Sequence, residues 1–279
     1  MYAGRSYAED TEFRKLLVRQ ADIDLTTAAL EVARDAFPRL NFQQTLEWIR
    51  QRGRELAGPV AGAKNERDAL DALAACIAGT HGTFGTNDAY ERAESSFLNR
   101  VIETKSGIPI SLAILYMAVA KEVGLELAGV SAPLHFLARY ESIDGPLFVD
   151  AFSNGRVLTK AECLTWIGEI SGLDPEKIKA VLKPVRPREI IVRMLNNLKA
   201  VYAQADQWRD AWLVQHRLSS LQPAAYDERR DLALISLKSD RTAQAVDLLE
   251  SCLRACPEED KQTLETHLAE ARSQLSRWN

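Results

Sequence analysis

From residue 11 to residue 78 the apolar positions recur at helical spacing, broken by polar caps and prolines. Thr26 and Thr27 precede the run AALEVARDAF, and Pro38 ends it, because proline disfavours helix in the residue before it. Asn41 caps a second helix with Phe42, Leu46, Ile49 and Leu56 on one face, closed by Gly58 and Pro59. A third helix over 66–78 aligns Leu70, Leu73, Ala74 and Ile77. The pattern then dissolves: GTHGTFGTNDAY, over 79–90, is rich in glycine, threonine and asparagine and reads as a loop carrying His81.

Periodicity returns at Phe97, Leu98, Val101 and Ile102, a short amphipathic helix that ends near Gly107. Pro109 suits the first turn of the next helix, where its missing N–H costs nothing. Leu112, Leu115, Tyr116, Val119, Ala120 and Val123 follow in an almost wholly apolar surround, which marks a buried central helix stopped by Gly124. Beyond it the period shortens to that of strands in LELAGV, HFLARY and LFVDAF, with the turn signal SIDGP between the last two. An antiparallel hairpin about that turn brings His135 and Asp150 to nearby rungs of neighbouring strands. SNGR is a further turn, Thr159 and Glu162 form a T-x-x-E capping box, and Asp174 caps PEKIKAVL. KPVRPRE lacks an apolar face, so a domain boundary is expected over 183–188.

The last third repeats itself. Pro223 and Pro257 stand 34 residues apart (257 − 223), and the same offset pairs Leu198 with Leu232, Val201 with Ile235, Ala211 with Ala245 and Trp212 with Val246. A helix-turn-helix period of 34 residues is that of tetratricopeptide repeats, with HLAEARSQL as the closing helix.

Composition narrows the function. With 35 basic and 39 acidic residues the formal charge is −4, which speaks against a nucleic acid partner. The N-terminal residues show no secretory leader and no stretch is apolar enough to cross a bilayer, so a cytoplasmic protein is expected, without a membrane partner. Cys76, Cys163, Cys252 and Cys256 are too sparse for a disulfide framework. Cys252 and Cys256 share a helix face, but no further Cys or His completes a tetrahedral set, so no metal and no cofactor is expected.

Candidate chemistry centres on His135 and Asp150. A general base needs an imidazole whose second nitrogen is held by a carboxylate or amide. Its nucleophile belongs at the amino end of the buried helix, where the helix dipole and free N–H groups stabilise a thiolate and an oxyanion. That end reads GIPIS and holds no cysteine.

The string FLNRVIETKSGIPISLAILYMAVAKEVGLELAGVSAPLHFLARY, followed by LFVDAFSNGRVLTKAECL, resembles the bacterial SirB family, whose members join a transglutaminase-like core to C-terminal tetratricopeptide repeats. The resemblance implies an α+β protein. Its first part, 1–183, is a mostly helical transglutaminase-like (papain-like) domain with a small antiparallel sheet, made of a helical lobe over 1–90 and a core over 91–183. An all-α repeat domain follows over 188–279. Carried over by position, the superfamily's catalytic histidine is His135 and its aspartate Asp150, while Pro109 stands where the cysteine belongs. Ser111 lies two residues further on, rotated by about 200° around the helix. Cys76 is a displaced alternative, and Pro109, His81 and Asn154 are expected to line the cleft.

Three readings follow. The first is a regulatory, protein-binding module of little or no catalytic activity, its cleft holding a peptide or small ligand and its repeats engaging a protein partner. The second is an acyl-transfer enzyme, a peptidase, amidase or transglutaminase, using Ser111 or a displaced cysteine with His135 and Asp150. The third is a repeat scaffold with an inert core. The distance from His135 to a nucleophile separates the first two.

Overall fold

Asp24 starts the first long helical stretch, its carboxylate accepting the Thr27 N–H at 3.0 Å. The computed structural model describes residues 7–276. It divides into two compact units: residues 21–194, and the chain before residue 21 together with the chain from residue 195 onward.

In order along the chain, α1 (Thr11–Leu17) belongs to the second of these units, and α2 (Leu25–Ala33), α3 (Phe42–Ala61) and α4 (Glu66–Ala74) to the first. Helix α2 begins ahead of Thr26 because Asp24, not the threonines, is the cap. Asn41 caps α3 as expected. Its end differs: α3 runs through Gly58 and Pro59 to Ala61, because Pro59 forfeits one N–H bond while the Gly62 N–H still reaches the Gly58 carbonyl at 3.0 Å. Helix α4 does not continue regularly to residue 78; it widens at Ala75–Thr80 into a π-helical turn.

Next come β1 (Phe84–Gly85), α5 (Leu98–Thr104), β2 (Ser106–Gly107) and α6 (Pro109–Lys121), with β1 and β2 paired in parallel. Helix α6 is the centre of the larger core. Leu112, Ala113, Leu115, Tyr116, Val119 and Ala120 are all fully buried, as the apolar run from Leu112 to Ala120 requires. Four strands follow: β3 (Leu127–Val130), β4 (Leu137–Ser142), β5 (Gly145–Asp150) and β6 (Arg156–Thr159), antiparallel in the order β3-β4-β5-β6. The expected hairpin is β4 and β5, and β6 is a strand where the sequence suggested only a turn. The capping box of Thr159 and Glu162 opens α7 (Lys160–Ser171), and Asp174 caps α8 (Pro175–Val181).

Helices α9 (Pro187–Gln204), α10 (Trp208–Leu221), α11 (Tyr226–Lys238), α12 (Thr242–Leu253) and α13 (Glu258–Ser276) complete the chain. The matched repeat positions Leu198, Leu232, Ala211 and Ala245 are buried, as equivalent seam positions should be. In this unit α1 joins α10 through a buried ion pair, Asp10 Oδ2 to Arg217 Nη2 at 2.7 Å, with the guanidinium lying over the rings of Tyr7 and Phe13.

Candidate functional site

His135 precedes the strand on which the sequence placed it: β4 begins at Leu137. The residues Ala132, Pro133, Leu134 and His135 form a turn closed by the His135 N–H on the Ala132 carbonyl at 3.2 Å. Proline at the second position and φ 56° at Leu134 in the third are the marks of a type II turn. That third position favours glycine; here it holds a leucine that is 73% exposed. The Arg193 guanidinium fastens the turn from outside, donating to the carbonyl oxygens of Ala132 at 3.1 Å and His135 at 2.8 Å and covering the Phe136 ring. Burial pulls the Arg193 pKa down, opposed by Tyr90.

The imidazole reaches the end of β5, where its Nε2 lies 2.8 Å from Asp150 Oδ1. Asp150 is completely buried. Burial alone would raise its pKa, but the hydrogen bond and charge of His135, with the Ser153 N–H at 3.3 Å, hold it below the ordinary 3.8. Its Oδ2 is buried and has no hydrogen-bond partner among the described residues. Phe152 and Trp166 meet the imidazole edge-on at 6.0 and 4.9 Å between centroids, and Tyr90 packs on Phe152. Phe152 is kept there by β1: its carbonyl accepts the Gly85 N–H at 3.0 Å, and a Cβ on Gly85 would fall 2.0 Å from its ring. Trp166, with Arg156 over its ring, also lines a surface hollow of about 590 Å³.

Ser111 is not turned toward this pair. Its hydroxyl donates to the Ser95 carbonyl at 2.6 Å and accepts the Ile108 N–H at 3.2 Å, so it satisfies a backbone donor at the start of α6 and is fully buried. Gly107 lies so close that a Cβ there would be 2.9 Å from Ser111 Oγ. Pro109 is the buried first residue of α6. Asn154 is exposed in the turn after β5, with φ 57°. His81 is drawn elsewhere, its Nε2 on Glu55 Oε2 at 2.8 Å. Among the described residues the His135 ring therefore meets Asp150, Phe152 and Trp166, and no hydroxyl or thiol hydrogen-bonds to it.

Cysteine chemistry is equally displaced. Burial, then the charge of Asp150, pushes the Cys163 thiol up to about 12. Cys76 lies with Glu55 and His81, and burial followed by the Glu55 charge raises its pKa. Sequence reasoning missed Leu134, Phe152, Trp166 and Arg193. Pro133 was the one local signal, since proline favours the second position of such a turn; the other three come from α7, α9 and the loop after β5.

Residues 29–196 match the model of the transglutaminase-like superfamily, and residues 198–275 match that of the tetratricopeptide repeat. A UPF0162 protein of Xylella fastidiosa (strain Temecula1) is 32% identical over 246 residues, covering 84% of this chain and 85% of its own. Protein SirB1 of Salmonella typhimurium is 25% identical over 196 residues, 70% of this chain and 72% of its own. F-box only protein 21 of Mus musculus is 31% identical over 122 residues, 41% of this chain and 18% of its own.

Proposed function

The chain belongs to the transglutaminase-like superfamily, and on that premise we propose that it is a protein-binding, regulatory module that retains the superfamily's His–Asp pair without a working nucleophile. The observation that carries this reading is the engagement of the Ser111 hydroxyl with Ser95 and Ile108. To attack a carbonyl, that hydroxyl would have to give up its bonds to the Ser95 carbonyl and the Ile108 N–H, which also bond each other at 3.2 Å, at a net cost of about 0.5–1.5 kcal/mol for each bond lost. The exposed Leu134 supports a recognition role: a bulky residue at a position suited to glycine is a strain of the kind that clusters at ligand sites.

In this reading the site residues are His135 and Asp150 as an ordered polar pair, with Leu134 and Trp166 as apolar contacts for a peptide segment. The unit of residues 21–194 supplies that cleft, and the repeats, matched over 198–275, hold a protein partner. Four cysteines outside any disulfide suit a reducing compartment, the cytoplasm.

The test uses the full chain, its Ser111→Ala and His135→Ala variants, an activated ester, and a glutamine peptide with an amine acceptor. The expected result is the same background rate for all three proteins. A wild-type rate that falls by about 100-fold or more in both variants, assayed well below each variant's own melting temperature, would replace this reading with acyl transfer.

A further inference from the structure

We propose that Glu55, Cys76 and His81 form a binding site for a divalent transition-metal ion of the zinc class, separate from the His135–Asp150 pair. One ligand atom from each lies within 4.8 Å of the other two. The local backbone explains how they meet. Five residues apart on an α-helix, Cys76 and His81 would diverge by about 140°, on nearly opposite sides. Here the His81 N–H donates to the Cys76 carbonyl at 3.1 Å, an i→i+5 closure, and this π-helical turn brings the two side chains round to one side. Glu55 reaches them from α3, with Oε2 2.8 Å from His81 Nε2.

The carboxylate and ring are held from behind. Arg52 donates to the other Glu55 oxygen at 2.8 Å and is buried over the Trp48 ring, which in turn meets His81 edge-on at 6.0 Å. Such support orients ligands, and the Arg52 charge offsets one of the two negative charges that Glu55 and a Cys76 thiolate would bring.

The donor set chooses the ion. Thiolate, imidazole and carboxylate together suit zinc and disfavour magnesium and calcium, which prefer all-oxygen shells. Bond lengths of about 2.0–2.3 Å in a tetrahedron separate neighbouring donors by roughly 3.3–3.6 Å, so His81 and Glu55 need to part by about half an ångström. Three protein ligands leave the fourth position to water or an incoming donor. Cys76 and His81 are half-buried and Glu55 is exposed, so solvent can reach it.

Cobalt(II) titration of the full-length protein tests this. One equivalent is expected to give a thiolate-to-cobalt charge-transfer band and the strong visible bands of four-coordinate cobalt, both erased by added zinc. Cys76→Ser should abolish the charge-transfer band, and His81→Ala or Glu55→Gln should weaken binding by about tenfold or more. Cys252→Ser should change nothing. If Cys76→Ser fails to fold by circular dichroism, the His81→Ala and Glu55→Gln titrations decide. Absence of the band in the wild type, its survival in Cys76→Ser, its loss in Cys252→Ser, or unchanged affinity in both His81→Ala and Glu55→Gln would overturn the proposal.

Discussion

Replacing Leu134 by glycine and by alanine gives a test whose sign follows from the turn. A non-glycine residue in the left-handed region carries about 1–2 kcal/mol of strain, and Leu134 sits at φ 56°. Glycine relieves that strain but adds about 0.5–1 kcal/mol of chain entropy to the unfolded state. Both variants lose the same leucine packing. With 73% of the residue exposed, that loss is about 0.4–0.8 kcal/mol, the buried share of the roughly 1.5–3 kcal/mol for full burial. Packing cancels between the two variants, so Leu134→Gly should be more stable than Leu134→Ala by about 0.5–1 kcal/mol, the reverse of the usual order. Urea denaturation followed by tryptophan fluorescence, with Trp166 against His135, should place the glycine midpoint higher by about 0.2–0.5 M. A glycine variant less stable than the alanine variant would refute the type II assignment and the strain argument with it.

Other expectations follow from the same geometry. Ser111→Ala removes the hydroxyl's bonds to the Ile108 N–H and the Ser95 carbonyl, which still bond each other at 3.2 Å, and should cost about 0.5–1.5 kcal/mol per bond lost in chemical denaturation. Because the Asp150 pKa is lower folded than unfolded, its contribution to stability is complete above the ordinary value of 3.8 and is lost as pH falls through the folded value. Asp150→Asn should therefore flatten the acid limb of a melting-temperature profile below about pH 4, and an unchanged limb would exclude this carboxylate as its source. Gly85→Ala must push the Phe152 ring off His135, which the ring-current shift of the imidazole proton resonances should report. Arg217→Met removes the buried guanidinium that lies 2.7 Å from the Asp10 carboxylate and over the Tyr7 and Phe13 rings, and should destabilise its unit by about 3–5 kcal/mol, with early proteolysis near α1 as the readout.

Much of the architecture was legible in local chemistry. The unbroken apolar run from Leu112 to Ala120 marked a buried helix, SIDGP marked a reversal of the chain between two strands, and the 34-residue offset announced the repeats. Asn41, Thr159 and Asp174 cap the helices that their positions suggested. Each of these is set by residues within a few positions of one another, or by a repeated pattern, so sequence suffices. Pro59 shows the limit even locally: a proline in the last turn removes one bond, and the helix continues past it.

The candidate site was half legible. His135 and Asp150 were singled out, and the sequence already withheld a cysteine at Pro109. What the hydroxyl of Ser111 touches depends on Ser95, 16 residues earlier, and only the packed chain turns it to that carbonyl. Likewise Arg193 fastens the His135 turn from 58 residues away, Phe152 and Trp166 wall the imidazole, and α1 joins α10 through Asp10 and Arg217. Periodicity tells which face of an element is buried, not what the burial brings against it. That is why the sequence determined the elements and named the pair, while tertiary structure alone decided that the pair stands without a nucleophile hydrogen-bonded to it among the described residues.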